Sequence, residues 1–147
     1  MSRRFAATNP DFASVVRSSF GRQALMSTLG ASLRLVEAGE VHIALAFSSA
    51  LSQQHGFLHA GAIASIADSA NGYAALTLAP PGSDVLAVEF KINLLAPARA
   101  PHFLARGSVL RPGRRITVCL AEIVGIDGSA EEVVATMLST ITVRTPS

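Results

Sequence analysis

The sequence predicts a single α+β domain, an antiparallel sheet wrapped around one long alanine-rich helix. Three observations lead there. The stretch Ala60 to Leu78 carries Ile63, Ile66, Ala67, Ala70 and Ala74 on one stripe at helical spacing. Everything after Pro80-Pro81-Gly82 reads as strand, broken at intervals by turn residues. And 147 residues make one domain of ordinary size, hardly two.

Residues 1–8 read as a loose tail, and 9–147 as the domain. Asn9-Pro10 supplies a helix start, with proline at the first helical position. Phe12, Val15, Val16 and Phe20 follow at helical spacing, and Gly21 is a plausible stop. A second short helix is expected over Arg22 to Leu29, ending at Gly30. From Ser32 the period changes to two: Leu33 and Leu35, a turn at Ala38-Gly39, then Val41, Ile43, Leu45 and Phe47. That is a hairpin. Ser48 to His59 is polar and irregular. The long helix follows, about Ala60 to Leu78, its small residues allowing a sheet to approach closely, and Pro80-Pro81-Gly82 stops it. Leu86, Val88, Phe90, Ile92 and Leu94 then alternate with Ala87, Glu89, Lys91 and Asn93. Strands over His102–Leu110, Ile116–Val124 and Val133–Val143 complete a sheet of five or six, separated by turns at Arg111-Pro112-Gly113 and Asp127-Gly128. No repeat, linker or low-complexity segment interrupts the chain.

Composition narrows the function. Hydrophobic residues make up 50% and charged residues 15%, which excludes a disordered chain. Aromatics are 5% with no tryptophan, so the core is aliphatic. So little charge leaves apolar surface to be buried against another copy of the chain. A net charge of +2, from 12 basic residues that are all arginine except Lys91 against 10 acidic ones, is no nucleic-acid footprint. The single cysteine, Cys119, excludes an internal disulfide and a multi-cysteine zinc site, and fits a reducing cytoplasm. Ser2-Arg3-Arg4-Phe5 has the start of a twin-arginine export signal, but Asn9-Pro10-Asp11 falls where its apolar stretch should begin. Asp68 and Asn71 interrupt the most apolar stretch, which therefore does not read as membrane-spanning. The expected location is the cytoplasm.

Common catalytic motifs are missing: no G-x-S-x-G elbow, no phosphate-binding P-loop, no G-x-G-x-x-G after a strand. His55 and His59 have metal-pair spacing only if helical, and Gly56 between them opposes a helix. No metal or redox cofactor is implied. What remains is the run His55 to Asp68. A helix beginning near Ala60 leaves its first backbone N–H groups unpaired at the positive end of its dipole, where a polarised carbonyl oxygen can be held. Two turns on, Asp68 is the only acid in an apolar stretch. Taken alone, such a residue more often faces solvent than does chemistry. Cys119 reads as a packed thiol in a strand, and His42 and His102 carry no motif.

His59-Ala60-Gly61, then Asp68, then Leu86-Ala87-Val88-Glu89-Phe90-Lys91-Ile92-Asn93-Leu94-Leu95-Ala96-Pro97-Ala98 resembles the hotdog-fold thioesterases of the phenylacetate-degradation (PaaI-like) type. In that family a His-Gly-Gly motif opens the central helix, an aspartate follows on it, and a strand ends in a bulky-residue-x-Pro-Ala step. The resemblance runs from about Ser48 to Arg144. It implies a hotdog fold and hydrolysis of an acyl-coenzyme A thioester, aryl or medium-chain, to a free acid and coenzyme A. Position by position, it makes Asp68 the catalytic carboxylate, Ala60 the bearer of the N–H that polarises the carbonyl, and His59 and Gly61 the rest of the motif. Gln53 stands where many relatives have an asparagine that orients water or the thioester, and Ala87 where some carry serine or threonine. Ala60 replaces a glycine, although a backbone N–H survives that change. Arg111, Arg114 and Arg115, around the Pro112-Gly113 turn, match basic residues that hold the coenzyme A phosphates, which arginine binds by paired hydrogen bonds.

The resemblance also implies a homodimer, often paired into a homotetramer. Asp68 would serve as general base or as nucleophile. Two other readings stay open: a hotdog protein that binds acyl-coenzyme A without cleaving it, and a hotdog dehydratase or hydratase, whose His-with-Asp/Glu motifs are missing. If 60–68 is one continuous helix, Ala60 and Asp68 lie ~12 Å apart along it. One helix cannot then present both to one carbonyl, so each site should draw on two chains.

Overall fold

The structure, a computed structural model, describes residues 5–147. Arg3 and Arg4, and half of the expected tail, lie outside it. Within it the tail is not loose: Phe5 packs on the core, its ring lying against Gly39.

Helix α1 spans Phe12–Arg22. It begins two residues later than Pro10 would suggest, because the Asn9 carboxamide oxygen accepts the Asp11 N–H at 3.0 Å and holds a turn there. Gln23 is extended and breaks the helical run, so α2 is confined to Ala24–Leu29 rather than starting at Arg22. Gly30, at φ 73°, closes it in the left-handed conformation that glycine adopts without strain.

The hairpin is as expected: β1, Ser32–Glu37, pairs with β2, Glu40–Ala46. Helix α3 runs Ala60–Leu76. It stops two residues short of Leu78 because the Thr77 hydroxyl turns back to donate to the Ala74 carbonyl at 2.6 Å. The same oxygen accepts the Gly39 N–H at 2.7 Å, tying the helix end to the β1–β2 turn. Four strands follow, β3 (Asp84–Leu94), β4 (His102–Arg111), β5 (Ile116–Asp127) and β6 (Ala130–Arg144). All are antiparallel in one six-stranded sheet of order β1-β2-β4-β5-β6-β3.

The sheet folds around α3. Ile66, Ala67, Ala70 and Ala74 on the helix are fully buried against Ala105, Cys119, Ala121, Met137 and Ile141 of the strands. Burying a side chain such as Ile66 contributes about 1.5–3 kcal/mol. Small residues let the backbones close: a Cβ at Gly107 of β4 would stand 2.5 Å from the Ala70 carbonyl carbon, so only glycine fits. Asn71, wholly buried, pins the helix to β6 by donating to Ser139 Oγ at 2.8 Å. This is the hotdog arrangement.

Strand β3 departs from its sequence pattern. Leu86, Val88, Phe90, Ile92 and Leu94 alternate without a break in sequence, which predicts one shared face. The sheet register shifts between Ala87 and Glu89, leaving Val88 as a bulge. Leu86 opposes Thr142 on the outer face, whereas Phe90, Ile92 and Leu94 oppose Ser139, Met137 and Ala135, whose side chains point at the helix. Ile92 packs against the core, but the helix does not reach far enough to cover Phe90 and Leu94. Val88 is 59% exposed, Phe90 44% and Leu94 54%, and β3 forms the sheet edge.

Candidate active site

The site is built from the start of α3. His59 caps the helix: its Nδ1 accepts the Gly61 N–H at 2.7 Å, which leaves the ring proton on Nε2. The His59 carbonyl takes the Ala62 and Ile63 N–H groups at 3.0 and 3.2 Å. The Ala60 N–H is thereby left without a partner among the described residues. It is the one free donor of the first turn. It opens on a cavity of about 540 Å³ walled by Gln53, Phe57, His59, Ile63, Leu94 and Pro97.

Gln53 shapes the loop before the helix. Its side-chain oxygen accepts the Phe57 N–H at 3.3 Å and the His55 N–H, and its own N–H donates to the Phe57 carbonyl at 2.8 Å. The oxygen is thus engaged in the turn, and the amide nitrogen is the part free to meet a ligand. The Arg99 guanidinium stacks on this loop, 4.6 Å from the Phe57 ring centre.

Asp68 lies elsewhere. Two turns down α3 it lines a separate cavity of about 190 Å³ with Gln23, Ser69, Tyr73, Val85 and Ala87. Its Oδ1 is buried with no hydrogen-bond partner, and burial pushes the carboxyl above its ordinary 3.8. Desolvation of this kind makes the carboxylate a stronger base than one in water. Ala87 does stand in the carboxylate's cavity, where it offers only a methyl group.

Arg111, Arg114 and Arg115 are exposed around the β4–β5 turn. Gly113 is obligatory there, since a Cβ would fall 2.0 Å from the Ile116 carbonyl oxygen. The Arg115 carbonyl accepts the Val143 N–H at 2.8 Å, and Val143 opposes Val85. The arginine turn therefore belongs to the end of the sheet that carries the Asp68 cavity, and the Ala60 cavity to the other end of β3. In the isolated chain the expected site residues fall into these two groups.

The remaining candidates stay apart from both. Cys119 is fully buried and its thiol is pushed up to about 12, so it is inert. His42 pairs with Glu40 at 2.7 Å, and His102 lies exposed at the start of β4. Among the described residues no three His, Cys, Asp or Glu side chains come together as a metal site, and no helix is long and apolar enough to cross a membrane. Sequence reasoning missed Gln23, Ser69 and Tyr73 in the Asp68 cavity. Gln23 lies 46 positions from Ser69 in the chain, and no motif links them.

A six-stranded antiparallel sheet wrapped around one long helix defines a hotdog protein, the fold of the thioesterase class. The comparisons agree: residues 55–131 match the family model of the thioesterase superfamily, and the chain belongs to that superfamily. A thioesterase family protein from Silicibacter pomeroyi is 42% identical, superposes with a TM-score of 0.90, and covers 92% of this chain and 99% of its own. The Escherichia coli PaaI protein of the phenylacetic acid degradation operon shares the fold at a TM-score of 0.83 and 20% identity, over 95% of this chain and 97% of its own. A protein of Saccharolobus solfataricus named as an esterase is 33% identical over 93 residues, which cover 63% of this chain and 66% of that relative's length.

Proposed function

We propose that the protein hydrolyses acyl-coenzyme A thioesters with an aryl or medium-chain acyl group, at sites shared between two copies of the chain. One observation carries this reading. The free Ala60 N–H and the unpartnered Asp68 carboxylate open on different cavities of one chain, ~12 Å apart on one helix. A carbonyl must lie within about 3 Å of its donor and of the attacking atom, so neither cavity is a complete site.

The edge strand supplies the remedy. Antiparallel pairing of β3 with β3 of a second copy lays the Asp84 end of one strand beside the Leu94 end of the other. The Asp68 cavity of one copy then meets the Ala60 cavity of its partner, and the exposed Val88, Phe90 and Leu94 are covered. Ala60 donates to the thioester oxygen, with the helix dipole stabilising the oxyanion that develops there. Asp68 either takes a proton from water or attacks the carbonyl carbon itself. His59 and Gly61 hold the donor in place, and Gln53 fixes the loop around it. Arg111, Arg114 and Arg115, at the Asp68 end, pair with the coenzyme A phosphates. The reaction needs no metal or redox group.

Release of free thiol from aryl, short, medium and long acyl-coenzyme A esters tests the reading, and a single turnover in heavy-oxygen water followed by mass analysis of Asp68 separates base from nucleophile. Tight binding of these esters with no thiol release would replace it by a binding role. No response to any ester would reject the substrate class.

A further inference from the structure

The most distinctive group that the reaction above leaves unused is Gln23. It is the joint between α1 and α2: its N–H donates to the Phe20 carbonyl at 3.1 Å and its own carbonyl accepts the Met26 N–H at 3.1 Å. Those two bonds fix the main chain on both sides of the break. The side chain then leaves the helical pair and crosses to α3, where its Oε1 accepts the Ser69 hydroxyl at 2.9 Å. Ser19 and Tyr73, joined by hydroxyls 3.2 Å apart, hold the same two helices together one turn away.

With Oε1 engaged by Ser69, the orientation of the carboxamide is set. Its nitrogen, which carries two N–H donors, has no partner among the described residues. Gln23 and Asp68 wall the same recess of about 190 Å³; Asp68 Oδ1 is closed off from solvent with no hydrogen-bond partner among the described residues, so a ligand in the recess meets the carboxylate at Oδ2. The free Gln23 nitrogen and the Asp68 carboxylate thus border one small recess.

We infer that Gln23 holds the attacking water for Asp68. This rests on the reading of Asp68 as the base of thioester hydrolysis. The water accepts one N–H from Gln23 Nε2 and donates one O–H to Asp68 Oδ2, which leaves its second lone pair aimed outward, toward the partner's Ala60 cavity. As that lone pair forms the bond to the thioester carbonyl carbon, the water's O–H bond breaks and its proton passes to Asp68. Collapse of the tetrahedral oxyanion breaks the carbon–sulfur bond, and the departing thiolate takes the proton back. Ser69 does not touch the water; it is a positioning residue acting through the Gln23 carboxamide.

Four variants measured side by side on one acyl-coenzyme A test this: Gln23→Leu, Gln23→Glu, Ser69→Ala and Asp68→Asn. Gln23→Leu should lower kcat ~10–100-fold and leave KM within about 3-fold, since it removes a contact made to the nucleophile and none to the thioester. Gln23→Glu places a second carboxylate beside Asp68 and should move the acid limb of the kcat–pH profile to higher pH, a shift that a purely structural residue would not cause. Ser69→Ala frees the carboxamide and should lower kcat by about 3–10-fold, with Ser69→Thr restoring it. If Gln23→Leu fails to fold, Gln23→Glu and Ser69→Ala carry the decision. A Gln23→Leu enzyme with kcat within 2-fold of the parent, while Asp68→Asn is dead, overturns the inference alone. Full activity in Asp68→Asn overturns the reading beneath it.

Discussion

Ala60 and Asp68 share one helix yet face two different cavities, the first at the helix N-terminus beside Gln53 and Pro97, the second beside Gln23 and Val85. Their separation, ~12 Å at 1.5 Å per residue, is fixed by the helix itself and is too great for any one carbonyl to span. The proposal of a dimer with composite, mutually dependent sites rests on that separation.

Complementation tests that dependence most directly. Ala60→Pro removes the donor N–H, and the fold should accept it: proline suits the first helical position, and His59 before it already has the extended backbone, φ −64° and ψ 139°, that proline requires. Homodimers of Ala60→Pro and of Asp68→Asn should each be inactive. In a heterodimer one site carries both defects and the other neither, so activity should return towards half. Confirmed subunit exchange with no recovery would show that both groups act within one chain, or that the donor is another N–H.

Asp68→Asn should trade stability for activity. Thiol release should fall ~100-fold or more with the base removed. The folded pKa of Asp68 is raised by desolvation above its ordinary 3.8, so the folded state binds this proton more tightly than the unfolded chain does. The charged carboxylate therefore costs stability, a cost absent below about pH 4 and fully present once pH exceeds the raised value. At neutral pH the Asn variant should melt at a higher temperature than the parent, and the gap should close in acid. In the parent, kcat/KM should decline with falling pH at a pH above the ordinary aspartate range. A lower melting temperature for Asp68→Asn at pH 7 would contradict the desolvation argument.

Phe90→Glu probes the β3 edge. Phe90 is 44% exposed in the single chain, so the substitution should leave the monomer folded by circular dichroism, with stability within about 1 kcal/mol. In a paired edge it buries a charge without a partner. Light scattering should report a monomer, and thiol release should be lost with the dimer. A stable, fully active dimer would place the subunit contact elsewhere.

Replacing Arg111, Arg114 and Arg115 together by alanine should raise KM for an acyl-coenzyme A ~10-fold or more and leave kcat nearly unchanged, because the phosphates lie far from the reacting carbon. The same acyl group on N-acetylcysteamine, which has no phosphates, provides the control and should show no change. An equal effect on both substrates would assign the turn to folding rather than to phosphate binding.

Much of this was legible in the chain. Period alone placed both hairpin strands, the central helix and the four strands after it, since an alanine-rich stripe and a two-residue alternation allow few other structures. The helix ends were read less well, because Thr77 and Asn9 close or delay them with side-chain hydrogen bonds that periodicity does not register. The His59-Ala60-Gly61 run, with Asp68 after it, pointed to the candidate site through its resemblance to the PaaI-like hotdog thioesterases, since spacing alone favoured a solvent-facing Asp68. What it could not show was Gln23 in the wall of the Asp68 recess, for the Gln23–Ser69 hydrogen bond that holds it there joins helices whose packing depends on the whole sheet.

Strand β3 marks the same division. The sequence dictates that it alternates; the bulge at Val88, and with it the face each side chain takes, arises only when β3 is laid against β6. The separation of Ala60 from Asp68 was determined by the sequence as soon as it specified a helix, because helical rise per residue is invariant. Which cavity each one faces was decided by the tertiary structure, because a cavity is made of residues that only packing brings together.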